Sequence, residues 1–152
     1  MADDYADALK YALRMLGYRD RSASDMRQKL AGKGFAENII DSTIERLEEK
    51  GFLDDRKFAE QLSRDAIERR NYGYHGVRRY LLKKGIPPDI IGDVADRGGD
   101  YEGSARRLVE KKMKLMENCS RDTARRRLWG VLSRRGFTPG EIQRVLKDYF
   151  EN

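Results

Sequence analysis

A repeat with a period of 51 residues limits what this chain can fold into. Three segments share one pattern: MRQKLAGKGFAENII (26–40), VRRYLLKKGIPPDII (77–91) and LWGVLSRRGFTPGEI (128–142). Their glycines, Gly34, Gly85 and Gly136, are evenly spaced at that period. Four apolar columns superpose around them: Met26/Val77/Leu128, Leu30/Leu81/Leu132, Phe35/Ile86/Phe137 and Ile40/Ile91/Ile142. Such a pattern marks a stack of similar structural units.

The glycine dictates the local form of each unit. A helix commonly ends on a residue in the left-handed region, which glycine adopts without a Cβ penalty. Lys33, Lys84 and Arg135 precede it, where a cation complements the helix C-terminal dipole. The apolar residue that follows folds back onto the helix end. Pro87, Pro88 and Pro139 then suit the first turn of the next helix, where a missing N–H leaves no bond unmade.

A further helix precedes each pair. Residues 54–70 open on Asp54 as N-cap and carry Phe58, Leu62, Ala66 and Ile67 at helical spacing. Residues 104–117 offer Leu108, Val109, Met113 and Met116, and residues 3–16 offer Tyr5, Leu9, Ala12, Leu13 and Leu16. Ser22 with Asp25 reads as a capping box for the second helix. The predicted fold is all-α: about nine helices as three tandem three-helix repeats (3–49, 54–97 and 100–150) in an elongated, curved array. Gly51 and the Gly98-Gly99 pair are the expected hinges.

Composition agrees with small stacked units. The chain of 152 residues is 39% hydrophobic and 38% charged, with a mean hydropathy of −0.84. A helical unit needs only one apolar stripe, so a repeat array tolerates this polarity. No apolar run approaches the ~18 residues of a membrane span, and the acidic, amphipathic N-terminus lacks the form of a signal peptide. One cysteine, Cys119, cannot form an internal disulfide, which fits a reducing cytoplasm. With no heptad seam in view, a monomer is expected.

Charge is unevenly placed. Residues 1–60 carry a net −2 and residues 61–152 a net +8. The basic part suggests an anionic partner, the alternative being an ordinary solvated helix surface. Two clusters stand out. The first is Arg69, Arg70, Arg78, Arg79, Lys83 and Lys84, interleaved with Tyr72, Tyr74 and Tyr80. The second is Arg121, Arg125, Arg126, Arg127, Arg134 and Arg135, with Trp129 among them. Cations beside aromatic rings can track a phosphate backbone. Arg125 and Trp129, four residues apart, can stack on one helix face. Tyr80 and Trp129 also sit beside core columns, so burial competes with contact for both.

Catalysis has little support. His75 and Cys119 lie far apart in sequence with no orienting third group. No His/Cys cluster has metal-ligand spacing, no glycine run has the strand-to-helix setting of a phosphate loop, and Asp54-Asp55 reads as helix capping. No cofactor or metal is expected.

Four stretches resemble the RecX family: SASDMRQKLAGKGF (22–35), LDDRKFAE (53–60), YGYHGVRRYLLKKGI (72–86) and RRGFTPGEIQRVL (134–146). LDDRKFAE is the most specific, and the likeness spans about residues 6–150. Two positions depart from the family pattern: Tyr74 stands where a proline usually follows the Tyr-Gly pair, and Gly76 weakens the start of a helix. The resemblance implies a non-catalytic regulator that binds the RecA filament on single-stranded DNA and restrains filament growth, ATPase and strand exchange. The competing reading is an independent DNA-binding protein, since three-helix units can present a recognition helix to the major groove. A helical scaffold unrelated to DNA explains the repeat but not the charge asymmetry.

Overall fold

The computed structural model describes residues 2–151 and is all-α over them. Nine helices follow one another: α1 (Ala2–Tyr18), α2 (Ala23–Gly32), α3 (Glu37–Glu49), α4 (Asp55–Glu68), α5 (Tyr74–Lys83), α6 (Pro88–Asp96), α7 (Tyr101–Met113), α8 (Arg121–Arg134) and α9 (Pro139–Phe150). They form three units, each with its own core. The repeat columns are the heart of these cores: Met26, Val77, Leu128, Leu30, Leu81 and Leu132 are all fully buried. Truncating one such leucine to alanine costs about 2–5 kcal/mol. The accessible surface is 9549 Å², against about 8000 Å² expected of a compact monomer of this mass, as suits tandem units that share little interior.

The turns close as the repeat predicts. Gly34, Gly85 and Gly136 have φ of 90°, 86° and 95°. In each, the glycine N–H and the next N–H donate back to the helix end, as in Phe35 N–H to Leu30 O (3.3 Å), Ile86 to Leu81 O (3.1 Å) and Phe137 to Leu132 O (3.1 Å). These bonds satisfy carbonyls that helix ends leave unpaired. Asp54 caps α4 through Lys57 N–H at 3.1 Å, and Pro88 and Pro139 open α6 and α9.

Other local expectations are corrected. Ser22 does cap α2, accepting from Asp25 N–H at 3.0 Å, but no reciprocal bond forms, because the Asp25 carboxylate takes the buried Arg21 guanidinium at 2.8 Å. The complete capping box belongs to Thr138 and Glu141. α7 starts at Tyr101 instead of 104, because Asp100 caps it through Gly103 N–H at 2.8 Å, and it ends at Met113 instead of 117. In α1 the small residues Ala8 and Ala12 reach the core while Leu13 stays exposed. Of the glycines read as hinges, a Cβ on Gly98 would lie 3.2 Å from Ser63 Oγ and 3.1 Å from Ala95 O, while nothing lies within 4 Å at Gly51 or Gly99. Asn71, with φ 54°, supplies the left-handed residue that ends α4.

The units join by a recurring contact. The first residue of one unit's second helix meets the first residue of the next unit's first helix. Between units one and two, Ala23 N–H donates to the Asp55 carboxylate at 2.9 Å, so Asp55 ties units together instead of capping α4. Between units two and three, the Tyr74 ring meets Tyr101 edge-on at 6.0 Å. The glycine turns recur as contacts too. A Cβ at Gly85 would lie 2.5 Å from Ser22 Oγ, and one at Gly136 would strike the Gly76 backbone, while nothing lies within 4 Å at Gly34.

The second junction is the closer one. Gly73 N–H donates to Arg135 O at 2.8 Å and His75 N–H to Gly136 O at 3.3 Å. The unpaired donors that start α5 thus meet the unpaired acceptors that end α8, so each end satisfies the other. A side chain at Gly76 would collide with the Arg135 carbonyl. The glycine that lowers helix propensity here is therefore the condition for the junction.

Gly76→Ala is expected to destabilise the chain by about 1–3 kcal/mol. Gly17→Ala, in a helical position with nothing within 4 Å, is expected to be neutral or to gain up to about 1 kcal/mol. Urea unfolding of both variants checks this; equal effects would show that backbone approach does not govern the junction. A second expectation concerns pH. Burial raises the Asp55 pKa above 3.8, with Asp54 adding to the rise and the Ala23 bond opposing it. The folded chain therefore holds this proton more tightly than the unfolded chain. The stability contribution is highest below the ordinary carboxylate pKa and falls as pH rises above it. Asp55→Asn keeps an acceptor for Ala23 without the charge. Its stability is expected to decline less than wild type between about pH 4 and pH 6, as read by unfolding at a series of pH values.

Candidate docking surface

The second junction builds a cationic cleft. α5 and α8 both end in basic residues, Lys83-Lys84 and Arg134-Arg135. Docking of the α8–α9 turn on the start of α5 brings Arg134 and Arg135 beside Arg70 and Arg79. The cleft has a volume of about 370 Å³ and is lined by Arg70, Tyr72, Gly76, Arg79, Tyr80, Lys83, Lys84 and Arg134. Arg135 borders it, donating from Nη1 to the Arg70 carbonyl with its guanidinium 5.9 Å from the Tyr72 ring centre. Arg79 Nη2 donates to the Arg134 carbonyl at 3.2 Å.

The floor is aromatic. Tyr72 and Tyr80 pack edge-to-face at 5.8 Å. Arg70 stands 4.9 Å and Lys84 5.6 Å from the Tyr80 ring centre. Cations over ring faces gain from the ring quadrupole and hold the long side chains in place. Asp65 pairs with Arg70 at 3.2 Å and, by that bond first, raises the Arg70 pKa above its ordinary value, with Tyr80 adding to it. Among the described residues, no carboxylate pairs with Arg79, Lys83, Lys84, Arg134 or Arg135. Four of them, Arg79, Lys83, Lys84 and Arg134, line the cleft, and Arg135 stands at its border.

The remaining predicted residues go elsewhere. Arg69 is exposed and pairs with Asp65 at 3.7 Å. Arg78 turns the other way, donating to Tyr74 OH at 3.2 Å, and that hydroxyl in turn donates to Asp96 at 2.7 Å. Successive helical residues point about 100° apart, which separates Arg78 from Arg79. Arg121 lies at the far end of the third unit, donating to Phe150 O at 2.5 Å. Arg125 stacks on Trp129 at 6.0 Å as expected, Arg126 is exposed and Arg127 donates to Cys119 Sγ at 3.3 Å. The second sequence cluster is therefore split, with only Arg134 and Arg135 reaching the cleft. Tyr80, read from the sequence as an aromatic of the first cluster, lines the cleft, as does Gly76, which was absent from the predicted set. A glycine inside a predicted helix was the available signal for it.

A buried polar tie holds α7 against this region. Ser104, fully buried, donates to Tyr72 O at 3.0 Å and lies 3.3 Å from Ile67 O. Arg107 adds Nη2 to Ile67 O at 3.0 Å and Nε to Asn71 Oδ1 at 3.3 Å. Tyr101 donates to Ala95 O at 2.6 Å, and burial first, then Tyr74, pushes its pKa up to about 12.

Comparison with known proteins agrees with this architecture. Residues 8–47 match the RecX first three-helix domain, 54–94 the second and 100–146 the third. Regulatory protein RecX of Chlorobium phaeobacteroides is 34% identical over 155 residues, covering 100% of both chains. The chain belongs to the RecX family. It is accordingly a non-catalytic regulatory protein. RecX of Pelodictyon phaeoclathratiforme is 33% identical over 97% of this chain and 92% of its own. The crystal structure of RecX from Lactobacillus salivarius shares the fold, with a TM-score of 0.86 at 23% identity over 97% of each chain. No helix among the described residues is long and apolar enough to cross a membrane. No group of His, Cys, Asp and Glu among them could hold a metal ion.

Ser104→Ala takes the hydroxyl donor from the Tyr72 carbonyl, while the Ile67 carbonyl keeps Arg107, and is expected to cost about 1–2 kcal/mol. Chemical denaturation measures it; an unchanged midpoint would show that the tie contributes nothing to the junction.

Proposed function

We propose that this RecX-family chain acts in the cytoplasm, as a monomer, by docking on the RecA filament formed on single-stranded DNA, where it restrains filament growth, ATPase and strand exchange. The cleft between units two and three carries the reading beyond family membership. Its four lining cations without carboxylate partners, with Arg135 at the border, form an electropositive surface that an anionic nucleoprotein complements. The rest of the predicted basic set, Arg69, Arg78, Arg121 and Arg125 to Arg127, forms a weaker periphery in this reading, since several of these residues are engaged within the chain.

The alternative is independent reading of duplex DNA by the helix that follows each glycine turn, whose first residues would meet the bases. The first turns of α3, α6 and α9 carry Glu37, Asp89 and Glu141, and carboxylates there oppose a phosphate backbone.

The deciding measurement is RecA ATPase on single-stranded DNA with this protein well below one copy per RecA. The expected result is a fall in rate. Replacing Lys83, Lys84 and Arg134 together by alanine is expected to raise the required concentration about tenfold or more, and replacing Arg125, Arg126 and Arg127 less. An unchanged rate, with tight binding to bare duplex DNA, would promote the alternative.

A further inference from the structure

We propose that the cleft is a phosphodiester clamp shared by units two and three, and that a bound strand closes the junction between them. The proposal rests on the docking surface above but stands apart from what that surface does to RecA.

The cleft reads backbone and not bases. Stacking on a base needs a free aromatic face. Tyr80 already carries Arg70 at 4.9 Å and Lys84 at 5.6 Å, and Tyr72 carries Arg135 at 5.9 Å. Its chemistry is cationic, with Arg79, Lys83, Lys84 and Arg134 lining a volume of about 370 Å³. Guanidinium and ammonium groups facing one opening suit a phosphodiester, whose oxygens accept from several donors at once. Binding of this kind depends on salt and is indifferent to sequence.

Closure follows from where the cations sit. Arg70, Arg79, Lys83 and Lys84 come from unit two, and Arg134 and Arg135 from unit three. Without an anion between them, like charges oppose the approach of the units. What holds the units there is local: the Gly73 and His75 N–H bonds to the Arg135 and Gly136 carbonyls, and the Arg79 and Arg135 bonds to the facing backbone. An anion that bridges both sets converts repulsion into attraction. Strand binding and junction closure are then linked, each favouring the other by the same factor.

The amide protons of Gly73 and His75 report the closed state directly, since both donate across the junction. Their hydrogen exchange is to be measured in the full chain by NMR, alone and with saturating oligo-dT, oligo-dA, an abasic strand of equal length, inorganic phosphate and oligo-glutamate. The expected result is about tenfold slower exchange with all three strands alike. The effect should be lost in Lys83→Ala/Arg134→Ala, whose helix content by circular dichroism matches wild type. Unchanged exchange under a bound strand would overturn the clamp, as would failure of any strand to bind. Failure of the abasic strand alone would show that bases are read. An equal effect from inorganic phosphate would assign the cleft to a free anion, and one from oligo-glutamate to an acidic protein segment; each would overturn the proposal. RecA ATPase followed in parallel separates the readings. Retained inhibition without protection sinks only the clamp, and protection without inhibition sinks only the RecA reading.

Discussion

Everything distinctive about this chain depends on two backbones touching. The start of α5 and the end of α8 meet through Gly73, Gly76, Arg135 and Gly136, with no Cβ to keep them apart. Helix ends are the one part of a helix with unspent hydrogen-bonding capacity, donors at one end and acceptors at the other. Setting an end of each kind against the other satisfies both without side chains. The contact also fixes register between units, because only one pairing brings glycine opposite glycine.

The rest of the molecule arranges itself around that register. Each unit is stabilised by its own core, so the units could stack in many ways as far as apolar burial is concerned. The junction contacts select one. At the first junction the tie is a carboxylate, Asp55, accepting from Ala23; at the second it is an aromatic pair, Tyr74 with Tyr101. The geometry is conserved between junctions while its chemistry changes. α8 departs from the repeat by beginning a turn early, at Arg121. Arg121 fastens that extra turn to the end of α9 through Phe150 O.

The cationic surface is a consequence of the same stacking. Helix C-termini favour basic residues for reasons local to each helix. Lys83-Lys84 and Arg134-Arg135 would occupy their positions in an isolated unit. Bringing the ends of α5 and α8 together concentrates these charges, and the shortage of carboxylates nearby leaves them available. A feature that stabilises single helices thus becomes a concentrated electropositive surface once units are joined.

The sequence by itself determined the helical class, the period, the three cores and their turns, because these depend on helical periodicity, on contacts within a single repeat and on the left-handed capacity of Gly34, Gly85 and Gly136. It also carried the family likeness. Several local assignments failed where a side chain had a choice of partners: Asp25 took Arg21 and left the capping box incomplete, and Asp55 reached Ala23 instead of its own helix. The candidate docking surface was half legible. Basic residues could be counted, but adjacent positions on a helix point apart, so Arg78 and Arg79 part company, and Arg125 to Arg127 face away from the cleft. Only the tertiary structure placed Arg134 beside Arg79, which it reaches across 55 positions of sequence. The physical reason is that this neighbour relation is set by a backbone contact between units, at a glycine whose sequence signature reads merely as a poor helix former.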